Sequence, residues 1–146
     1  MELKDKNIGF VITGSFYNFT KIIEQIKKIK ELDGNIIPIM SFNAFVSNTR
    51  FGLADNFINE IELITEKKII CDIQQAEEIG LNKETDILVV APSTGNTIAK
   101  LANGITDNPA TVAVKSALRN SNNIVVGIAT NDRTNNQCWK YWETIK

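Results

Sequence analysis

The sequence predicts a doubly wound α/β domain built on parallel strands. Three observations lead to that expectation. Short apolar runs recur at 7–13, 35–40, 86–90 and 124–129; segments with apolar residues at helical spacing follow the first three; glycine or small polar residues sit where several of the runs stop. Repeated strand-then-helix units imply parallel strands joined by right-handed crossovers. In such a sheet ligands bind outside the carboxyl ends of the strands, so those polar residues are where function is sought.

The first run, Asn7-Ile8-Gly9-Phe10-Val11-Ile12-Thr13, reads as a central strand ending in the Gly14-Ser15 turn. Ile22, Ile23, Ile26, Ile29 and Leu32 then recur at helical spacing, with lysines and glutamates on the other face, until Asp33-Gly34 stops the helix. The second strand, 35–40, contains Pro38, which lacks a ladder donor and points to an edge or a bulge. Phe51, Ala54, Phe57, Ile58, Ile61 and Ile64 mark a second amphipathic helix. Ile69-Ile70-Cys71 reads as a short third strand, and 73–81 as a helical turn or loop. The fourth strand, 86–90, runs into a polar stretch and a helix from Thr97 to about Asn103. Pro109 suits the first position of a helix over 110–119, and 124–129 is the fifth strand.

The 146 residues suit one domain, large enough to bury about two-thirds of its unfolded surface. A net charge of −1 argues against nucleic-acid binding, since no basic excess exists to neutralise phosphates. The charged opening lacks an apolar signal-like core and no run reaches membrane-spanning length, so a cytoplasmic protein with no membrane partner is expected. Cys71 and Cys138 stand in unrelated contexts, which gives neither a disulfide framework nor a metal-ligand spacing. Histidine is absent, so the commonest general base and metal ligand are missing; no catalytic residue and no metal site is assigned.

Three strand ends offer candidate ligand contacts. Gly14 and Ser15 occupy the first strand-to-helix turn, where a phosphate cradle is expected, although neither a dinucleotide fingerprint nor a P-loop is present. Ser41 follows the second strand. Pro92-Ser93-Thr94-Gly95-Asn96-Thr97 follows the fourth, placing hydroxyls, an amide and the first N–H groups of a helix together. The alternative is a plain loop with Thr94 capping that helix. Lys100, one turn past Thr97, can reach a phosphate or carboxylate, or simply sit on a solvated face. Asp107 is read as a capping or turn residue.

The motifs Ile12-Thr13-Gly14-Ser15, Ser41-Phe42-Asn43-Ala44-Phe45 and the stretch 91–109 resemble the flavoprotein family that includes phosphopantothenoylcysteine decarboxylase. Thr49-Arg50-Phe51-Gly52, Gly95-Asn96, Ala117-Leu118-Arg119-Asn120 and Gly127-Ile128-Ala129-Thr130-Asn131-Asp132 are similar to one branch of it, the B subunits of dipicolinate synthase. The resemblance implies a three-layer α/β/α, flavodoxin-like (Rossmann-like) parallel sheet and an FMN site. Gly14, Ser15, Ser41, Pro92, Ser93, Asn96 and Thr97 would contact FMN, with Thr94 and Gly95 in the same loop.

The resemblance further implies one component of an oxidoreductase. A dihydrodipicolinate-type dicarboxylate would be oxidised to dipicolinate together with the A subunit of dipicolinate synthase, which binds NAD(P), in the mother cell of a sporulating bacterium. A homo-oligomer is also implied. The decarboxylase branch uses a histidine that this chain lacks, which disfavours FMN-dependent decarboxylation. A non-catalytic component that binds substrate or stabilises its partner, without a redox cofactor, is the other reading.

Residues 1–132 form the flavoprotein-like domain in this reading, and 133–146 an atypical polar tail. Residues 136–145 can be encoded by AT-rich codons whose reading one nucleotide later resembles the family's continuation. A frameshifted or truncated product, cut short at the C-terminal end of the sheet, is therefore expected.

Overall fold

The computed structural model describes residues 3–129, so the expected 133–146 tail and Thr130-Asn131-Asp132 lie outside the described residues. Within them, four parallel strands form one sheet in the order β2 (Asn35–Met40), β1 (Asn7–Ile12), β3 (Ile87–Ser93), β4 (Asn123–Ile128). Helices α1 (Phe19–Glu31), α2 (Phe42–Val46) and α3 (Ala54–Thr65) follow the first two strands. Helix α4 (Ile73–Leu81) precedes β3, and α5 (Gly95–Ala102) and α6 (Pro109–Arg119) link β3 to β4.

The chain first moves from β1 outward to β2, then returns to lay β3 on the other side of β1. That reversal creates a topological switch point between the carboxyl ends of β1 and β3.

Both faces of the sheet are covered, giving the expected three layers. Alternation along β1 sends Phe10 and Ile12 to one face, where they join Ile23, Ile26 and Ile61 of α1 and α3. Val11 points to the other face, with Leu88 and Val90 of β3, Ile79 of α4 and Val114 of α6. A central parallel strand buried on both faces reads as a continuous apolar run, as β1 does. Each large aliphatic side chain so enclosed contributes about 1.5–3 kcal/mol relative to exposure.

Several elements differ from the sequence expectation: α2 is an added short helix and α5 begins at Gly95, two residues earlier than expected. Residues 69–71 do not form a strand; a single parallel bridge joins Ile70 to Ile39. Asp72 already caps α4 two residues later, its carboxylate accepting the Gln75 N–H at 3.0 Å, which draws the chain off the sheet edge. Pro38 accepts the Ile70 N–H at 2.9 Å through its carbonyl, so its missing donor faces this outer side rather than β1. Residues 73–81 are a full helix rather than a helical turn or loop, buried through Ala76, Ile79 and Gly80. Strand β3 runs past Val90 to Ser93, because an irregularity between Val90 and Ser93 restores pairing of Ser93 with Ile128.

Gly80 lets α4 lie directly on α6. A Cβ there would stand 2.7 Å from the backbone carbonyl carbon of Ser116. The Ser116 hydroxyl in turn donates to the Glu77 carbonyl at 2.9 Å. Gly80→Ala is expected to lower unfolding stability by about 1–3 kcal/mol through overpacking, despite alanine's better helix propensity. Urea denaturation of the two proteins measures this.

Candidate functional site

The carboxyl ends of β1 and β3 are tied together by Thr13. Its backbone N–H and its hydroxyl both donate to the Pro92 carbonyl, at 3.2 and 2.6 Å, and its hydroxyl oxygen accepts the Thr94 N–H at 3.1 Å. Thr13 is 1% exposed, so this relay is dry. It holds the first and last loops of the switch point in fixed register.

A cleft of about 350 Å³ opens above this tie, lined by Thr13, Gly14, Ser41, Phe42, Asn43, Thr94, Asn96, Thr97, Lys100, Asp107 and Asn108. Gly14 leaves room for the Asn43 side-chain amide, whose nitrogen would meet a Cβ there at 2.8 Å. Ser41 caps α2 by accepting the Ala44 N–H at 3.2 Å, and Ser41 N–H donates to the Ile12 carbonyl. Thr94 caps α5: its hydroxyl oxygen accepts the Thr97 N–H at 3.1 Å, and the two hydroxyls lie 3.0 Å apart. The amides of Gly95 and Asn96 precede any intrahelical partner and carry the positive end of the α5 dipole.

Of the expected contact residues, Gly14, Ser41, Thr94, Asn96 and Thr97 share this cleft. Ser15, Pro92, Ser93 and Gly95 are not among its lining residues. Ser15 is engaged in its own turn, with its N–H on the Thr13 carbonyl and its hydroxyl accepting the Asn18 amide at 2.9 Å. Pro92 lines a groove of about 470 Å³ that also includes Tyr17, Lys21 and Gly127. Ser93 is fully buried, and its hydroxyl has no hydrogen-bond partner among the described residues. Thr13 and Asn43 join the site although strand-end chemistry alone does not single them out.

Among the described residues, the charged groups lining the cleft are paired. Lys100 Nζ donates to both carboxylate oxygens of Asp107, at 3.0 and 2.8 Å. The Asn108 side-chain amide adds a third hydrogen bond to Asp107 at 2.9 Å, while its own oxygen caps α6 on the Ala110 N–H at 3.0 Å. The Lys100 hydrogen bond, then that of Asn108, holds the Asp107 carboxyl below the ordinary carboxylate range. No histidine exists in the chain, and among the described residues no cluster of His, Cys, Asp or Glu could hold a metal. No described helix is long and apolar enough to cross a membrane.

A family model described as Flavoprotein matches residues 1–141. The chain belongs to the Flavoprotein family. Among its relatives is the B subunit of dipicolinate synthase from Bacillus subtilis (strain 168), 39% identical over 130 residues, which span 89% of this chain and 65% of that one. This family member thus covers just under two-thirds of its relative's length. The crystal structure of the corresponding dipicolinate synthase B subunit from Bacillus halodurans superposes with a TM-score of 0.82 at 34% identity, covering 97% of this chain and 73% of that one. An FMN-dependent cysteine decarboxylase from thioviridamide biosynthesis shares the fold of this family member at a TM-score of 0.75 and 18% identity, over 97% of this chain and 85% of that one.

Two outcomes test the tie and the ion pair. Thr13→Val keeps the shape but strands the Thr94 N–H, so a stability loss of about 1–3 kcal/mol in denaturant is expected, with Thr13→Ser close to the parent. Asp107 has a depressed folded-state pKa, so the stability it contributes is present above its unfolded value and lost as pH falls through the folded one. In a carboxyl-resolved NMR titration Asp107 should titrate below a free aspartate, and Lys100→Met should move it back toward the free value.

Proposed function

We propose that this chain is the flavin-binding B subunit of a dipicolinate synthase, acting with a separate A subunit that carries NAD(P). Together they would oxidise a dihydrodipicolinate-type dicarboxylate to dipicolinate during sporulation. The observation that supports this most strongly is the 39% identity to the Bacillus subtilis relative across 89% of the chain.

The site's chemistry fits FMN. Gly14 lets the Asn43 amide stand at the cleft wall, and that amide, the α5 amides and the Asn96 side chain supply donors. Bound flavin supplies a hydride acceptor, and aromatisation of the pyridine ring supplies driving force. The chain's own residues bind and orient. Gly14 and Ser41 would hold the phosphate, with Ser15 shaping the turn; Asn96 and Thr97 would serve the ring or the substrate carboxylates, with Pro92, Ser93, Thr94 and Gly95 fixing their loop. Phe42, Val46 and Leu53 are exposed, Phe42 in the cleft wall and the other two nearby in sequence, which favours a protein partner there, either the A subunit or a further copy of this chain.

A non-catalytic component that binds substrate or stabilises its partner, without a redox cofactor, is the second reading. It is favoured by the lack of any histidine and by the engagement of Lys100 and Asp107 with each other.

Titrating the purified protein with FMN should quench flavin fluorescence to saturation at one equivalent. Asn96→Ala should weaken that binding about tenfold, the worth of one or two hydrogen bonds. No quench with FMN, but capture of the A subunit, would favour the second reading over the first.

A further inference from the structure

We infer that Lys100 is the cleft's anion-binding cation and that Asp107 competes with the ligand for it, so that a phosphate or carboxylate entering the cleft takes Lys100 over from Asp107. The inference rests on the cleft being a ligand site, and deepens that reading by assigning its charge.

The two partners of the ion pair are unequal. The Lys100 side chain is 25% exposed and the Asp107 side chain 53%, so the lysine belongs to the enclosed side and the aspartate to the solvent side. Separating them costs Asp107 little, because water and the Asn108 amide at 2.9 Å still solvate its carboxylate. Lys100 has three N–H donors and two are on Asp107. In the enclosed cleft its charge is worth more to an anion than at the rim, where an exposed ion pair contributes little.

The remaining lining residues are neutral, with side-chain donors on Ser41, Asn43, Asn96 and Thr97. With the pair closed the described lining is formally uncharged. Opening the pair leaves the sum unchanged but frees the Lys100 ammonium, on the enclosed side, to face a guest, while the Asp107 carboxylate turns to the solvent side. A cleft meant to stay neutral would have no need of either residue. One meant only to attract anions would lack Asp107. Having both makes a competing anion the condition for opening the pair, which sets a preference for anionic groups over neutral analogues.

The anionic group has two sources, a flavin phosphate or the carboxylates of a pyridine dicarboxylate, and the probes separate them. FMN, riboflavin and pyridine-2,6-dicarboxylate are each titrated into the parent, Asp107→Asn, Lys100→Gln and the double variant. Asp107→Asn is expected to tighten one anionic probe by about two- to fivefold, the worth of a half-exposed ion pair, and to leave riboflavin unchanged. Tighter FMN assigns Lys100 to the phosphate; tighter dicarboxylate assigns it to the substrate. Lys100→Gln should weaken the same probe, the double variant should lose the gain, and Asp107→Glu should return affinity toward the parent value.

A purely structural pair would give the opposite sign. If Asp107→Asn weakens or leaves unchanged every anionic probe that the parent binds, or Lys100→Gln does not weaken any, the inference is overturned while the flavin reading stands. A parent that binds neither anionic probe overturns both. Should Asp107→Asn prove unstable in thermal unfolding, Asp107→Ser takes its place with the same expected sign.

Discussion

The site depends on a single buried hydroxyl. Thr13 Oγ1 donates to Pro92 and accepts from Thr94, and through those two bonds the loop after β1 and the loop after β3 become one wall. The β1–β3 register runs to Val11 and Val90, and the Pro92 carbonyl lies beyond it, where Thr13 supplies its partners. Satisfying it with both donors of one residue lets the irregular strand end remain buried. The cap at Thr94, the start of α5 and the position of Asn96 all follow from where that strand end is pinned.

Charge enters the described part of the cleft at its outer side. The floor is built from backbone and neutral side chains, and Lys100 and Asp107 close the α5–α6 corner. Asn108 links that corner to the fold, since one end of its amide holds Asp107 and the other caps α6. Local electrostatics and helix initiation are thereby coupled at one residue.

Much of this is legible in the sequence because hydrophobic periodicity reports which face is buried. Ile22, Ile23, Ile26 and Ile29 announce α1, and the small polar residues at Gly14, Ser41 and Thr94 to Thr97 mark strand ends that a parallel sheet must bring to one edge. What escapes depends on contacts distant in sequence. Thr13 looks like the last residue of a strand until its partners 79 and 81 residues away are known. Helix α4 is hidden because its apolar stripe is short and Gly80 resembles a breaker, whereas its glycine is the contact with α6. Strand β3 outruns its apolar residues because Ser93 resumes the pairing past an irregularity, without looking like a strand residue. The Lys100–Asp107 pair, seven residues apart, needs the geometry of the turn between α5 and α6, which periodicity does not encode.

Ser41, Thr94 and Asn108 all line the cleft, and each spends its side-chain oxygen on capping a helix. Their acceptor capacity is committed to the fold, so the surface they present to a guest is chiefly one of donors. Away from the Lys100–Asp107 corner, an acceptor-rich molecule therefore finds more partners here than a donor-rich one. The same atoms start the helices and read the guest, so sequence drift at these positions is constrained twice over: a change that alters selectivity also loosens a helix, and specificity can evolve here only where stability is in surplus.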